Sequence, residues 1–94
     1  MNLIFKWDEE KARANLKKHG MSFDEATTVF ADPFSVTIAD PDHSLDELRF
    51  VDVGSSEKGQ VLVVVYTERG VSIRIISCRK ATPSERRYYE EGLR

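Results

Sequence analysis

The sequence predicts an α+β fold in which a mainly antiparallel sheet is flanked by helices. Three observations support this class: capped helical segments follow a short strand-like opening, four strand-like segments then come in succession, and a strongly capped helix closes the chain. The predicted order is β-α-α-β-β-β-β-α. Because 94 residues are too few for two independent cores, we expect residues 1–94 to form a single domain.

The first strand and helix are predicted within residues 4–20. Apolar and polar residues alternate in the opening segment Ile4 to Trp7, which is typical of a short strand. Asp8 is a favourable helix N-cap, and Gly20 supplies the left-handed conformation that ends many helices. The spacing therefore predicts a helix over Glu9–Lys18.

A second helix is predicted over Phe23–Ala31. Ser22 and Glu25 have the spacing of a capping box, in which each side chain bonds to the other residue's backbone N–H. Asp32-Pro33 ends the segment because a residue before proline avoids the helical region.

Four strands and a last helix follow. Strands are predicted over residues 34–39, 48–53, 60–67 and 71–79, the last two joined by a hairpin at Glu68-Arg69-Gly70. Simple alternation in the last strand places Arg79 on the same face as Ile73 and Ile75, and places Arg74 on the other face. Thr82-Pro83-Ser84-Glu85 combines an N-cap, a proline and a capping-box glutamate, so a helix is predicted to Glu91.

Composition excludes several function classes. The net charge of −2 argues against a general nucleic-acid binder, although cations dominate residues 69–87 and carboxylates dominate residues 40–47.

No apolar run is long enough to span a membrane, so the protein is predicted to be cytoplasmic. His19 and His43 lack metal-ligand spacing and no phosphate-binding glycine loop is present, so neither a metal nor a cofactor is predicted. Cys78 is predicted to be a small buried hydrophobe.

Arginine, lysine and histidine recur at the ends of the predicted elements. Metal-free RNA cleavage needs a base for the 2′-hydroxyl proton, an acid for the departing 5′-oxygen and cations for the transition-state charge, all of which these residue types supply. Ordinary solvated surface charges would give the same composition. A DNA-reading role is disfavoured because the second helix carries Asp24 and Glu25 but no cation.

A set of local sequences, in order along nearly the whole chain, resembles the BrnT family of bacterial toxins. The segments are Phe5-Lys6-Trp7-Asp8, Asn15-Leu16-Lys17-Lys18-His19-Gly20, Phe23 to Ala26 with Val29-Phe30 and Asp32-Pro33, Glu47-Leu48-Arg49, Tyr66-Thr67-Glu68-Arg69-Gly70, and Arg74 to Ala81 followed by Glu85-Arg86. Cys78 stands where the motif is expected to hold a small residue such as alanine, and the difference in volume is small.

The resemblance implies a RelE-like fold and a ribonuclease that blocks translation. It also implies neutralisation by a BrnA-type antitoxin, contact with operator DNA only through that antitoxin, and a dimer or heterotetramer with paired subunits. The implied catalytic residues are His19, Glu47, Arg49, Arg69 and Arg79, and the implied substrate-binding residues are Lys18, Arg74 and Lys80.

Our mechanistic hypothesis gives His19 or Glu47 the acid or base role and lets Arg49, Arg69 and Arg79 hold the scissile phosphate. The competing hypothesis is a non-catalytic module that uses the same scaffold to bind a protein or a nucleic acid.

Overall fold

The computed structural model describes residues 2–39 and 48–93. Within them lie β1 (Ile4–Lys6), α1 (Glu9–His19), α2 (Phe23–Thr28), a 3₁₀ turn (Val29–Ala31), β2 (Val36–Ala39), β3 (Arg49–Ser55), β4 (Val61–Arg69), β5 (Ser72–Lys80) and α3 (Pro83–Glu91). The predicted order of strands and α-helices is confirmed.

The five strands form one mixed sheet in the order β1-β5-β4-β3-β2. The pairs β2–β3, β3–β4 and β4–β5 are antiparallel. β1 pairs in parallel with the start of β5, so that Ile4 lies beside Ser72 and Lys6 beside Arg74. The α+β class and the mainly antiparallel sheet are confirmed, and the parallel edge strand is an addition to the predicted meander.

The ends of α1 follow from its capping residues. The Asp8 carboxylate accepts hydrogen bonds from the N–H groups of Lys11 (3.3 Å) and Glu10 (2.8 Å), which lower the pKa of Asp8. Gly20 has φ of 70°, and its N–H donates to the carbonyl of Leu16 at 2.8 Å. The helix therefore stops one residue beyond the predicted end.

The two predicted capping boxes have different outcomes. At α2 the Ser22 hydroxyl accepts from the Glu25 N–H at 3.0 Å, but the Glu25 carboxylate turns inward and accepts from the Ser56 hydroxyl at 2.7 Å. At α3 both halves form between Thr82 and Glu85. The α-helical part of the second helix is also shorter than predicted, because it tightens into the 3₁₀ turn before Pro33.

The main core lies between the first two helices and one face of the sheet, here called the core face. Leu62, Val64 and Tyr66 of β4 point into it. The remaining buried members are Met21, Phe23, Ala26, Val29, Ile73, Ile75 and Cys78. The opposite face of the sheet, which carries Val63, Val65 and Thr67, is called the outer face.

A β-bulge changes which side chains of β5 share a face. Val65 pairs with Ser77 but Tyr66 pairs with Ile75, so Ile76 is an extra residue on β5. Arg79, opposite Val63, consequently lies on the outer face, as does Arg74 opposite Thr67. The alternation predicted from sequence was wrong here, because a bulge reverses the parity of every residue beyond it.

Asn15 binds the edge of β5 beyond the end of β1. Its side-chain amide donates to the carbonyl oxygens of Cys78 (2.8 Å) and Met21 (2.9 Å), and its oxygen accepts from the Cys78 N–H at 3.0 Å. The side chain thus takes the place of a neighbouring strand at Cys78 and fixes α1 along β5.

Candidate functional site

Basic side chains gather on the outer face of the sheet, at the end where β4 turns into β5. Lys6 lies beside Arg74, Arg74 lies opposite Thr67, and Arg69 lies opposite Ser72. These five residues line a surface cleft of ≈ 380 Å³, called here the cationic cleft. Its described lining carries one ammonium, two guanidinium and two hydroxyl groups.

Arg49 extends this cluster across the sheet. It is the first residue of β3 and pairs with Thr67, so Lys6, Arg74, Thr67 and Arg49 form a row across four neighbouring strands. Neighbouring strands lie about 4.8 Å apart, which puts the backbones of Arg49 and Arg74 roughly 10 Å from each other. Long flexible side chains at that spacing can reach a common anion or neighbouring anionic groups.

Two local features build the cationic cleft. Gly70, with φ of 56°, makes the tight turn that brings Arg69 opposite Ser72. β1 supplies Lys6, and its register is fixed by an Ile4 N–H bond to the Val71 carbonyl at 2.8 Å.

Arg79 lies near the other end of the outer face and is paired with a carboxylate. Two of its guanidinium nitrogens donate to the two oxygens of Glu85, at 2.8 and 2.9 Å. This bidentate pair lowers the pKa of Glu85 to about 2 and raises the pKa of Arg79. Arg79 therefore fastens the first turn of α3 to β5.

α3 is held at a second point by Tyr89. Its hydroxyl donates to Asp32, which also accepts from the N–H groups of Ser55 (2.8 Å) and Phe34 (2.9 Å). Burial and the Asp32 carboxylate raise the pKa of Tyr89 to about 12. Tyr88 points outward and is exposed. Tyr89 is therefore a packing residue that anchors α3 to Asp32.

The predicted site residues fall into separate groups. Arg49, Arg69 and Arg74 lie together at the cationic cleft. Arg79 is five positions further along β5, at a rise of about 3.3 Å per residue, and so lies roughly 15 Å from Arg74. Lys80 is exposed at the end of the same strand.

His19 and Lys18 end α1, one turn beyond Asn15, which is anchored at Cys78. They therefore lie toward the Arg79 end of the sheet. His19 is half-buried and Lys18 is exposed. Glu47 lies outside the described residues, as does His43.

Sequence reasoning missed Lys6, Thr67 and Ser72 as members of the cleft. Thr67 and Ser72 could have been found, because Thr67 shares the parity of Arg69 on β4 and a two-residue turn at Gly70 and Val71 pairs Ser72 with Arg69. Lys6 could not, since its place depends on the parallel pairing of β1 with β5.

A buried carboxylate was also missed. Asp52 on the core face is 3% exposed and accepts hydrogen bonds from Thr37 (2.6 Å) and Tyr66 (2.9 Å). Burial raises the pKa of Asp52 despite those bonds, and burial with the nearby Asp52 raises the pKa of Tyr66. Both groups face the core and lie away from the cationic cleft, so we assign them a structural role.

Cys78 is fully buried, as predicted, and burial, with a smaller effect of Glu25, raises the pKa of its thiol to about 12. Such a thiol is a packing group rather than a nucleophile.

Among the described residues, no group of three or more His, Cys, Asp or Glu side chains is arranged to hold a metal ion. No helix in the described ranges is long and apolar enough to cross a membrane.

Comparison with known proteins assigns the family. The family model described as "Ribonuclease toxin, BrnT, of type II toxin-antitoxin system" matches residues 7–85. The chain belongs to the BrnT family. The resemblance read from the local sequences is thereby confirmed, and a type II toxin-antitoxin family implies an antitoxin partner for this BrnT-family chain.

A solved structure supports the fold of this family member. The crystal structure of the Brucella abortus ribonuclease toxin BrnT is similar, with a TM-score of 0.60 and 24% sequence identity over 87% of this chain and 97% of that chain. At that identity the likeness shows a shared fold. No curated protein sequence matches the chain.

Proposed function

We propose that this BrnT-family protein is a metal-independent endoribonuclease whose RNA cleavage inhibits translation, and that the cationic cleft with Arg49 binds the scissile phosphate. The observation that carries this proposal is the meeting of Lys6, Arg69 and Arg74 in one cleft of the outer face. The family description, a ribonuclease toxin, names the chemistry that such a cleft suits.

The arginines match the demands of phosphate chemistry. Attack by a 2′-oxygen places extra negative charge on the non-bridging oxygens of the phosphate, and guanidinium groups bind such oxygens through paired N–H donors. Arg69 and Arg74 approach from β4 and β5, while Arg49 approaches from β3. These cations then stabilise the transition state more than they stabilise the bound RNA, and such a difference is the condition for catalysis.

For the proton acceptor, the hypothesis named His19 and Glu47. Glu47 is two positions from Arg49 along the chain, whereas His19 lies toward the Arg79 end of the sheet. We therefore favour Glu47 as the base that removes the 2′-hydroxyl proton and keep His19 as the alternative.

The residues at the Arg79 end of the sheet have a different role in this proposal. Glu85 already neutralises Arg79. Arg79 also lies roughly 15 Å from Arg74. We propose that Lys18, Arg79 and Lys80 contact the RNA beyond the scissile phosphate. Cleavage of short and long RNAs by an Arg79→Ala variant distinguishes this role from the direct phosphate contact first predicted. Loss of a contact beyond the scissile phosphate slows cleavage of long RNAs only, whereas loss of a contact with the scissile phosphate slows cleavage of both.

The partner proposals rest on the family. We propose that a BrnA-type antitoxin neutralises the protein in the cytoplasm, that operator DNA is reached only through this antitoxin, and that the complex contains paired subunits. The net charge of −2 fits a protein that meets RNA at a local basic site instead of over its whole surface.

The test is cleavage of a mixed-sequence RNA by purified protein in the presence of EDTA. Arg74→Gln is expected to lower the rate by about a hundredfold, as for the loss of one donor to a transition-state oxyanion. Arg13→Gln on the exposed side of α1 is the matched control and should stay within twofold of wild type. Glu47→Gln and His19→Ala, made separately, identify the base.

Two outcomes would contradict the proposal. Full activity of a folded Arg74→Gln variant would remove the cationic cleft from the mechanism. Absence of cleavage by wild type, even with translating ribosomes added, would favour the non-catalytic binding module.

A further inference from the structure

The side chains that line the cationic cleft differ in their ability to transfer a proton. Arg69 and Arg74 contribute guanidinium groups, a type of side chain that does not act as a proton donor in proteins, and Thr67 and Ser72 contribute hydroxyls, which are weak acids. An ammonium group releases its proton about a hundredfold or more readily than a guanidinium. Of the five lining residues that the structure describes, only Lys6 is therefore suited to proton transfer.

The position of Lys6 fits such a role. The parallel register puts it beside Arg74, and its side chain is exposed on the outer face. The preceding residue, Phe5, points the other way and packs on Phe30 with ring centroids 5.2 Å apart. The Lys6 backbone is thus held by the pairing of β1 with β5 and by the packing of Phe5, while the flexible Lys6 side chain can follow a departing group.

We propose that Lys6 is the general acid that protonates the 5′-oxygen leaving group during RNA cleavage. This inference rests on the proposed ribonuclease function and adds a catalytic residue to it. Neither the sequence motifs nor the family description assigns a role to this lysine.

The 2′-oxygen forms a bond to phosphorus as its proton passes to the base, and the bond between phosphorus and the 5′-oxygen breaks. The electron pair of that bond moves to the 5′-oxygen, which takes a proton from the Lys6 ammonium. The products are a 2′,3′-cyclic phosphate and a 5′-hydroxyl, and the neutral amine of Lys6 regains a proton from water.

A leaving-group substitution tests this role. The RNA site cut by wild type is first mapped, and a second RNA is made in which sulfur replaces the 5′-oxygen at that site. A thiol has a pKa near 8.5, so a thiolate departs without being protonated. Both RNAs are cleaved at saturating concentration, so that differences in RNA binding do not enter the rates.

The variants are Lys6→Met, Lys6→Arg and, as a matched control, Lys58→Met in the exposed turn before β4. On the oxygen RNA we expect both Lys6 variants to lose about a hundredfold in rate, the usual contribution of a general acid, and the control to lose nothing. On the sulfur RNA we expect Lys6→Met to lose at least tenfold less in rate than on the oxygen RNA, because the cleft still lacks one positive charge but the departing thiolate needs no proton.

Other results would overturn the inference. Normal activity of Lys6→Arg on the oxygen RNA would show that only the positive charge matters. A Lys6→Met variant equally impaired on both RNAs would exclude proton donation to the leaving group. If wild type cleaves neither RNA, the ribonuclease function itself fails, which is distinct from failure of the Lys6 variants alone.

Discussion

Asn15→Ala is predicted to be among the most destabilising polar substitutions in this protein. Asn15 is 6% exposed and makes three hydrogen bonds, two to the backbone of Cys78 and one to the carbonyl of Met21. Alanine removes all three and leaves these backbone groups without their partner in a region that water does not reach easily.

The size of the effect follows from those bonds. A net contribution of about 1 kcal/mol for each bond gives about 3 kcal/mol. Alanine recovers up to about 0.7 kcal/mol because it is the better helix former, which leaves roughly 2.5 kcal/mol. A chain of this length has a total stability of about 5 to 14 kcal/mol, so the loss is a large share of it. The corresponding fall in melting temperature is roughly 10 to 20 °C.

Urea unfolding monitored by tryptophan fluorescence measures this loss. Trp7 is the only tryptophan and packs edge-on against Phe23 with centroids 5.9 Å apart, so its emission reports the core beside α1. Lys17→Ala on the exposed side of the same helix is the control for helix propensity. A change below 1 kcal/mol for Asn15→Ala would refute the view that this amide replaces a missing strand.

Asn15→Asp sharpens the same test. Aspartate keeps an acceptor for the Cys78 N–H but puts a second oxygen against the carbonyls of Met21 and Cys78. Near neutral pH it is expected to destabilise the protein at least as much as alanine does.

The remaining predictions concern the pH dependence of stability. Because the pKa of Glu85 is held at about 2, below the usual 4.5, the Arg79 pair stabilises the fold above pH 4.5 and loses this effect as the pH falls toward 2. The advantage of wild type over Glu85→Gln in urea unfolding should therefore shrink over that range, by about 1 kcal/mol after allowance for solvent screening. Asp52 has the opposite sign: its raised pKa favours the protonated folded state, so the stability of wild type relative to Asp52→Asn should fall as the pH rises above 4. Equal pH profiles for wild type and either variant would contradict the corresponding assignment.

The helix ends and the strand order could be predicted because their signals are local. Asp8, Gly20 and Thr82 each set a backbone conformation or bind nearby N–H groups, and each does so in the structure. Glu25 shows the limit of this reasoning. Its spacing from Ser22 is correct for a capping box, but Ser56, 31 positions later, offers its carboxylate a partner in the interior.

The functional surface could be predicted only in part, for the same reason. Arg69 and Arg74 flank a recognisable hairpin, so their proximity is a local property. The bulge at Ile76 and the parallel pairing of β1 depend on contacts between distant segments, and these decide which face holds Arg79 and where Lys6 lies. Neither feature can be predicted from the alternation of apolar and polar residues.

The pairing of β1 with β5 also has a consequence for the order of folding. Ile4 and Ser72 are neighbours in the sheet but lie 68 positions apart in the chain, so closing this contact costs loop entropy that local elements do not incur. During synthesis, Lys6 leaves the ribosome long before Arg74 exists. The cationic cleft therefore cannot assemble on a nascent chain that lacks β5. Under the proposed function, an unfinished chain thus has no complete phosphate site with which to attack RNA near the ribosome that makes it.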